Sequence, residues 1–122
     1  MRFVTYGMGR ERVVGLIRSV APPGSVVEAL SDFQAANDVR AGQADVAIGV
    51  CQSGAGGALA IPMALLGAGS CAQLSTPSKQ PTGEEIREAV ASGKKVFGLA
   101  LSHVDTAIPT LVQALSASPD RQ

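Results

Sequence analysis

The stretch Asp45-Val46-Ala47-Ile48-Gly49-Val50-Cys51-Gln52-Ser53-Gly54-Ala55-Gly56-Gly57-Ala58-Leu59-Ala60-Ile61-Pro62-Met63-Ala64-Leu65-Leu66 decides the fold class. It opens on a short apolar, β-branched run, passes through a glycine-rich middle and ends apolar over a helical length. That order reads as a strand over Asp45–Val50, a loop, and a helix over Ala55–Leu66. Outward from it the same alternation recurs. Strands are predicted at Arg2–Tyr6, Ser25–Leu30, Ser70–Leu74 and Lys95–Ala100, and helices at Arg10–Val20, Asp32–Ala41, Gly83–Ser92 and Thr106–Ser116. Pro22-Pro23-Gly24, Gly42, Gly67 and Gly93 each follow a helical stretch, where a left-handed residue or a stop is wanted. Thr82 with Glu85 three residues on is a capping-box pattern at the start of the fourth helix.

Strand–helix alternation with connections this short requires parallel strands and right-handed crossovers. The expected architecture is one α/β domain over residues 1–122. Its sheet is five-stranded and parallel, in a flavodoxin-like or Rossmann-like three-layer sandwich with strand order 2-1-3-4-5. In that order the chain reverses direction between strands 1 and 3, and a crevice opens at their carboxyl ends. Two glycine-rich loops border it: Gly7-Met8-Gly9-Arg10 and Cys51–Gly57.

Composition narrows the function classes. The chain is 46% hydrophobic and 16% charged, with ten basic and ten acidic residues, so no electrostatic footprint for nucleic acid or a membrane surface is present. Aromatics are 3% with no Trp, which argues against base stacking. Cys51, Cys71 and the one histidine, His103, do not make a zinc set, so neither a metal nor a cofactor is expected. Met1-Arg2-Phe3-Val4-Thr5 reads as a strand rather than a signal peptide, and the uncharged run from Val46 to Thr76 is broken by Gly, Pro and polar residues. The expectation is a cytoplasmic protein.

The Cys51–Gly57 loop is where chemistry is expected. It leads into a helix whose first amides have no partner within the helix and whose dipole favours anions. Gly54, Gly56 and Gly57 carry no side chains, Ala55 only a methyl, and Ser53 adds a hydroxyl donor, so backbone N–H groups can meet a ligand oxygen directly. The same field favours the Cys51 thiolate. A thiolate beside an oxyanion cradle suits proton abstraction next to a carbonyl. The alternative is a cysteine that merely ends an apolar strand. Gly7, Gly9 and Arg10 border the crevice, and Arg10 is placed to clamp a phosphate or carboxylate or to be simple surface charge. Arg12 stands where a dinucleotide fingerprint needs its third glycine, and no phosphate-loop Gly-Lys-Ser/Thr exists.

His103 follows the fifth strand at the same end of the sheet as Cys51. With one strand between them the separation is about 10 Å. Asp105 is expected to cap the last helix. Cys71 begins the fourth strand, at the opposite end from Cys51, which argues against a disulfide between them. From Gly54 through Gly69 there is no charge, so the third helix lacks a face for water. A second subunit is expected to cover it in a homo-oligomer, with Leu59, Met63 and Leu66 at or near the contact. Whether Pro62 kinks this helix or delays its start stays open.

Asp45–Ala60, together with Gly93-Lys94-Lys95-Val96-Phe97-Gly98 and the Pro109 helix, resembles the YhfU-like family of bacteria over nearly the whole chain. That likeness implies fold and kinship. A more distant likeness is to sugar-phosphate isomerases of the ribose-5-phosphate isomerase B type, which carry Cys-Gly-Thr/Ser-Gly-x-Gly after a parallel strand. Cys51, Ser53, Gly54 and Gly56 match that pattern, while Gln52 replaces a glycine. It implies Cys51 as a proton-transferring base on a small phosphate- or carboxylate-bearing metabolite. Tyr6-Gly7 stands where those enzymes have the Asp-His pair that opens the sugar ring, so that half of the machinery is missing. The rival function is a metabolite-binding or regulatory protein using the same loop without chemistry.

Overall fold

A computed structural model describes residues 1–54 and 56–118. The chain runs β1 (Arg2–Gly7), α1 (Arg10–Val20), β2 (Val26–Ala29), α2 (Asp32–Arg40), β3 (Val46–Cys51), α3 (Gly56–Leu66), β4 (Cys71–Gln73), α4 (Gly83–Ala91), β5 (Val96–Ala100) and α5 (Val104–Ala117). Short 3-10 turns, Ala68–Ser70 and Leu101–His103, precede β4 and α5. All five predicted strands and helices are present, with ends shifted by two residues or fewer. The predicted start of α3 at Ala55 lies outside the described residues.

The sheet is parallel throughout, but its order is 2-1-3-5-4 rather than the expected 2-1-3-4-5. Burial explains the exchange. Every residue of β5, Val-Phe-Gly-Leu-Ala, is buried, as a strand sandwiched between two helical layers must be. β4 has three residues and leaves Gln73 exposed, which suits an edge. Stepping back from β4 to β5 by a right-handed crossover also sends α4 to the face of α1 and α5.

The sheet's period of two sorts the core into two halves. Phe3, Ile48, Val50, Phe97 and Leu99 pack against Val13 and Ile17 of α1, Ile86 and Val90 of α4, and Ile108, Leu111 and Leu115 of α5. Val4, Tyr6, Ala47 and Val96 pack against Ala35 and Val39 of α2 and Ala58 and Leu59 of α3. Three layers result. β3 sends its helix to one face while its neighbours β1 and β5 send theirs to the other. The carboxyl end of β3, where Cys51 sits, is therefore flanked by two points of divergence instead of one.

Pro62 lies inside α3, which runs unbroken from Gly56 to Leu66, so it does not delay the helix. Leu59 points inward and is buried, Leu66 is half-buried, and Met63 and Ile61 are 40% and 36% exposed. The outward apolar face is thus Ile61 and Met63, and Leu59 belongs to the protomer's own core. Among the described residues no helix is long and apolar enough to cross a membrane.

Candidate functional site

β3 ends with Val50 paired to Gly7 on one side and Cys51 paired to Ala100 on the other. On the β1 side, the Met8 N–H donates to the Val50 carbonyl at 2.9 Å. Gly7 has a positive φ of 98°, and a Cβ there would stand 2.1 Å from the Val50 oxygen, so only glycine lets the two loops meet. Gly9, also left-handed, ends the turn as the N-cap of α1. Arg10 follows on the exposed first turn of α1, with no hydrogen bond or ion pair among the described residues. Arg12, two residues on, is engaged: its guanidinium grips Asp105 through Nε and Nη2, the Nε–Oδ1 distance being 2.8 Å. Asp105 is therefore not the cap expected of it. It lies in the first turn of α5, whose N-cap is His103 without a side-chain bond, and its carboxylate ties α5 to α1.

On the β5 side the chain after Cys51 folds back over the sheet end. Gly54 has φ 80°, and a Cβ there would lie 2.1 Å from the Ser75 oxygen and 3.1 Å from the Ala100 nitrogen. The buried Ser75 hydroxyl in turn accepts the Ala100 N–H at 2.8 Å, and Gln73 Nε2 donates to the Ser53 carbonyl at 3.4 Å. The loop is thus pinned to β4 and β5, by Gln73 and Ser75, two residues that local pattern did not single out.

The pinning aims the loop's donors at the thiol. The Gly54 N–H points to Cys51 Sγ at 3.1 Å, and the Ser53 hydroxyl lies 3.6 Å from it. Ser53 Oγ also accepts the Gly56 N–H at 3.3 Å, capping the start of α3. Gly57 is close enough that its missing Cβ would touch Cys51 Cβ at 3.5 Å. Partial burial pushes the Cys51 thiol up, but hydrogen bonds from the Ser53 hydroxyl and from the N–H groups of Gly54, Ser53 and Ala58 outweigh it and hold the thiol below its ordinary value. Cys71, buried at the start of β4, is pushed the other way by burial. Of the amides expected to cradle a ligand's oxyanion, that of Gly54 faces the cysteine's own sulfur and that of Gly56 the Ser53 hydroxyl. Ala55 of the predicted ligand set lies outside the described residues.

Because β5 and not β4 adjoins β3, His103 stands one strand closer to Cys51 than the expected order allows, three residues past Ala100. It is half-buried, and its Nδ1 is buried with no hydrogen-bond partner among the described residues. No bond joins it to Cys51. Among the described residues, no cluster of metal-binding side chains occurs. A groove of about 320 Å³ runs elsewhere, between β4 and α4, and is lined by Gln73, Leu74, Glu85 and Glu88. Two carboxylates there disfavour an anion.

Comparison with known proteins agrees with the kinship read from β3 and its loop. The family model described as protein of unknown function DUF2620 matches residues 1–115. The chain is 38% identical over 109 residues to the uncharacterized protein YhfU of Escherichia coli K12, covering 89% of this chain and 93% of that one. The YhfU proteins of Escherichia coli O6:H1 and Shigella flexneri match to the same extent. No solved structure matches significantly. The distant likeness to sugar-phosphate isomerases gains no support from these relatives. A family match over nearly the full chain, with close relatives of almost equal length, means that this protein belongs to the DUF2620 family of YhfU-like proteins.

Proposed function

We propose that this protein acts on a small anionic metabolite through the Cys51 thiolate, with proton transfer next to a carbonyl as its chemistry. One observation carries the reading: the Gly54 N–H and the Ser53 hydroxyl lie against Cys51 Sγ at the carboxyl end of the central strand, where hydrogen bonding holds the thiol below its ordinary value. An inert core cysteine has no use for such an arrangement, since burial alone favours the neutral thiol. A base does, because it must be ionised near neutral pH before substrate arrives. Arg10, exposed on the first turn of α1 and unpaired among the described residues, supplies the positive charge for a phosphate or carboxylate. His103, just past the end of the adjoining strand β5, is the second group proposed to exchange a proton with the substrate, Cys51 taking one and His103 giving one.

The test is solvent exchange. Phosphorylated and carboxylated carbonyl compounds are incubated with the protein in D2O and followed by NMR. Deuterium entering next to a carbonyl with wild type, and not with Cys51→Ser, supports the enzyme. Binding of a compound by both proteins without exchange by either rejects the catalytic role and leaves a metabolite-binding protein.

A further inference from the structure

Proline within a helix removes an N–H and so orphans the carbonyl four residues earlier. In α3 that proline is Pro62, buried, and the orphaned carbonyl is that of Ala58, in the helix's first turn. Left bare in the core this oxygen would be costly. It is not bare: the hydroxyl of Tyr6, at the end of β1, donates to it. Tyr6 is 1% exposed, and the bond also meets the tyrosine's own need for a partner. The ring reaches Ala58 across β3 because residue 49 is glycine; a Cβ there would stand 2.4 Å from the ring. Four residues from three elements thus compose one device. Its product is the placement of the first turn of α3, where Gly57 lies against Cys51 Cβ, the Gly56 N–H meets Ser53 Oγ, and the Ala58 N–H is among the groups that lower the thiol.

We propose that Tyr6 is a positioning residue for the Cys51 site, its hydroxyl replacing the N–H that Pro62 lacks and so fixing the first turn of α3 against the thiol. The proposal rests on the reading of Cys51 as a working thiolate. Tyr6 touches no substrate. It acts through Ala58 alone, holding one of the donors in line.

The experiment is the iodoacetamide rate of Cys51 against pH, read by peptide mass spectrometry in the full-length protein with Cys71 as internal reference. Tyr6→Phe is expected to move the Cys51 midpoint upward and slow its reaction at pH 7 by roughly three- to tenfold, the equivalent of half to one pKa unit. Pro62→Ala alone leaves the midpoint in place, since a carbonyl accepts two bonds. In Tyr6→Phe/Pro62→Ala the new N–H at position 62 reaches the Ala58 carbonyl, and the wild-type midpoint returns. That rescue is a readout that general loosening of the core does not produce, and it remains available if Tyr6→Phe alone fails to fold. A Tyr6→Phe protein with an unchanged profile, or a double variant as slow as Tyr6→Phe, overturns the proposal. A wild-type Cys51 no more reactive than Cys71 is a separate failure, that of the thiolate reading itself.

Discussion

At the scale of single residues, Cys51 and Cys71 are a controlled pair. Cys51 ends one strand of the sheet and Cys71 begins another, yet hydrogen bonds hold the first thiol down and burial pushes the second up. The sign of the stability effect follows. A group whose folded-state pKa lies below its unfolded value stabilises the fold fully above the unfolded value, and loses that contribution as pH falls through the folded one. Cys51→Ser should therefore cost more, relative to wild type, near pH ~10 than near pH ~6, as measured by urea unfolding at each pH. Equal cost at both would mean that the thiolate gains nothing from the loop. Gly54 is the second residue on which the site turns. Gly54→Ala combines a left-handed backbone with a Cβ driven at the Ser75 carbonyl, and should destabilise by about 2–5 kcal/mol. A loss under ~1 kcal/mol in the same assay would show that the loop is not pinned where it is described.

At the scale of elements, caps and edges govern what the sequence reveals. The Thr82–Glu85 box was legible because it is local: Thr82 Oγ1 accepts the Glu85 N–H, and Glu85 accepts the Thr82 N–H. The Thr82 N–H, then Lys79 and the Thr82 hydroxyl, hold the Glu85 carboxyl at about 2 against an ordinary 4.5. Its charge thus stabilises the fold above about 4.5, and the contribution fades as pH falls toward about 2. Glu85→Gln should melt below wild type at pH 7 and with it near pH 2; a constant gap would contradict this. The β4–β5 exchange was harder to read, because strand order depends on which strand is buried on both sides. The signal was there, in a fully apolar β5 against a β4 that carries Gln73. The Tyr6–Ala58 bond was out of reach, since it joins β1 to α3 through space left by a glycine of β3. A tyrosine in an apolar strand and a proline in an apolar helix were its traces.

At the scale of the whole molecule, the third helix carries no charge, and its outward side exposes Ile61 and Met63. Phe33, on the neighbouring α2, is 55% exposed. We propose that a second copy covers this side, since an uncharged helix face offers nothing to steer a charged partner and the same face on another copy meets it without burying a charge. Sedimentation should give a dimer or larger for wild type and a monomer for Met63→Glu. A soluble wild-type monomer at micromolar concentration would remove the proposal. The architecture at this scale was legible because alternating strands and short crossovers admit few solutions. The site was legible only in outline. Local reading singled out the loop and its cysteine, but it did not foresee that the Gly54 N–H turns to the cysteine's own sulfur.

That aim is the central claim, and alkylation tests it most directly. The rate of Cys51 modification by iodoacetamide, followed against pH beside Cys71 in the same molecule, should rise through a midpoint below that of an ordinary thiol. Cys71 should react later and at higher pH, and inorganic phosphate should slow Cys51 alone. A Cys51 midpoint at or above that of Cys71, untouched by phosphate, would contradict the account and return Cys51 to the core.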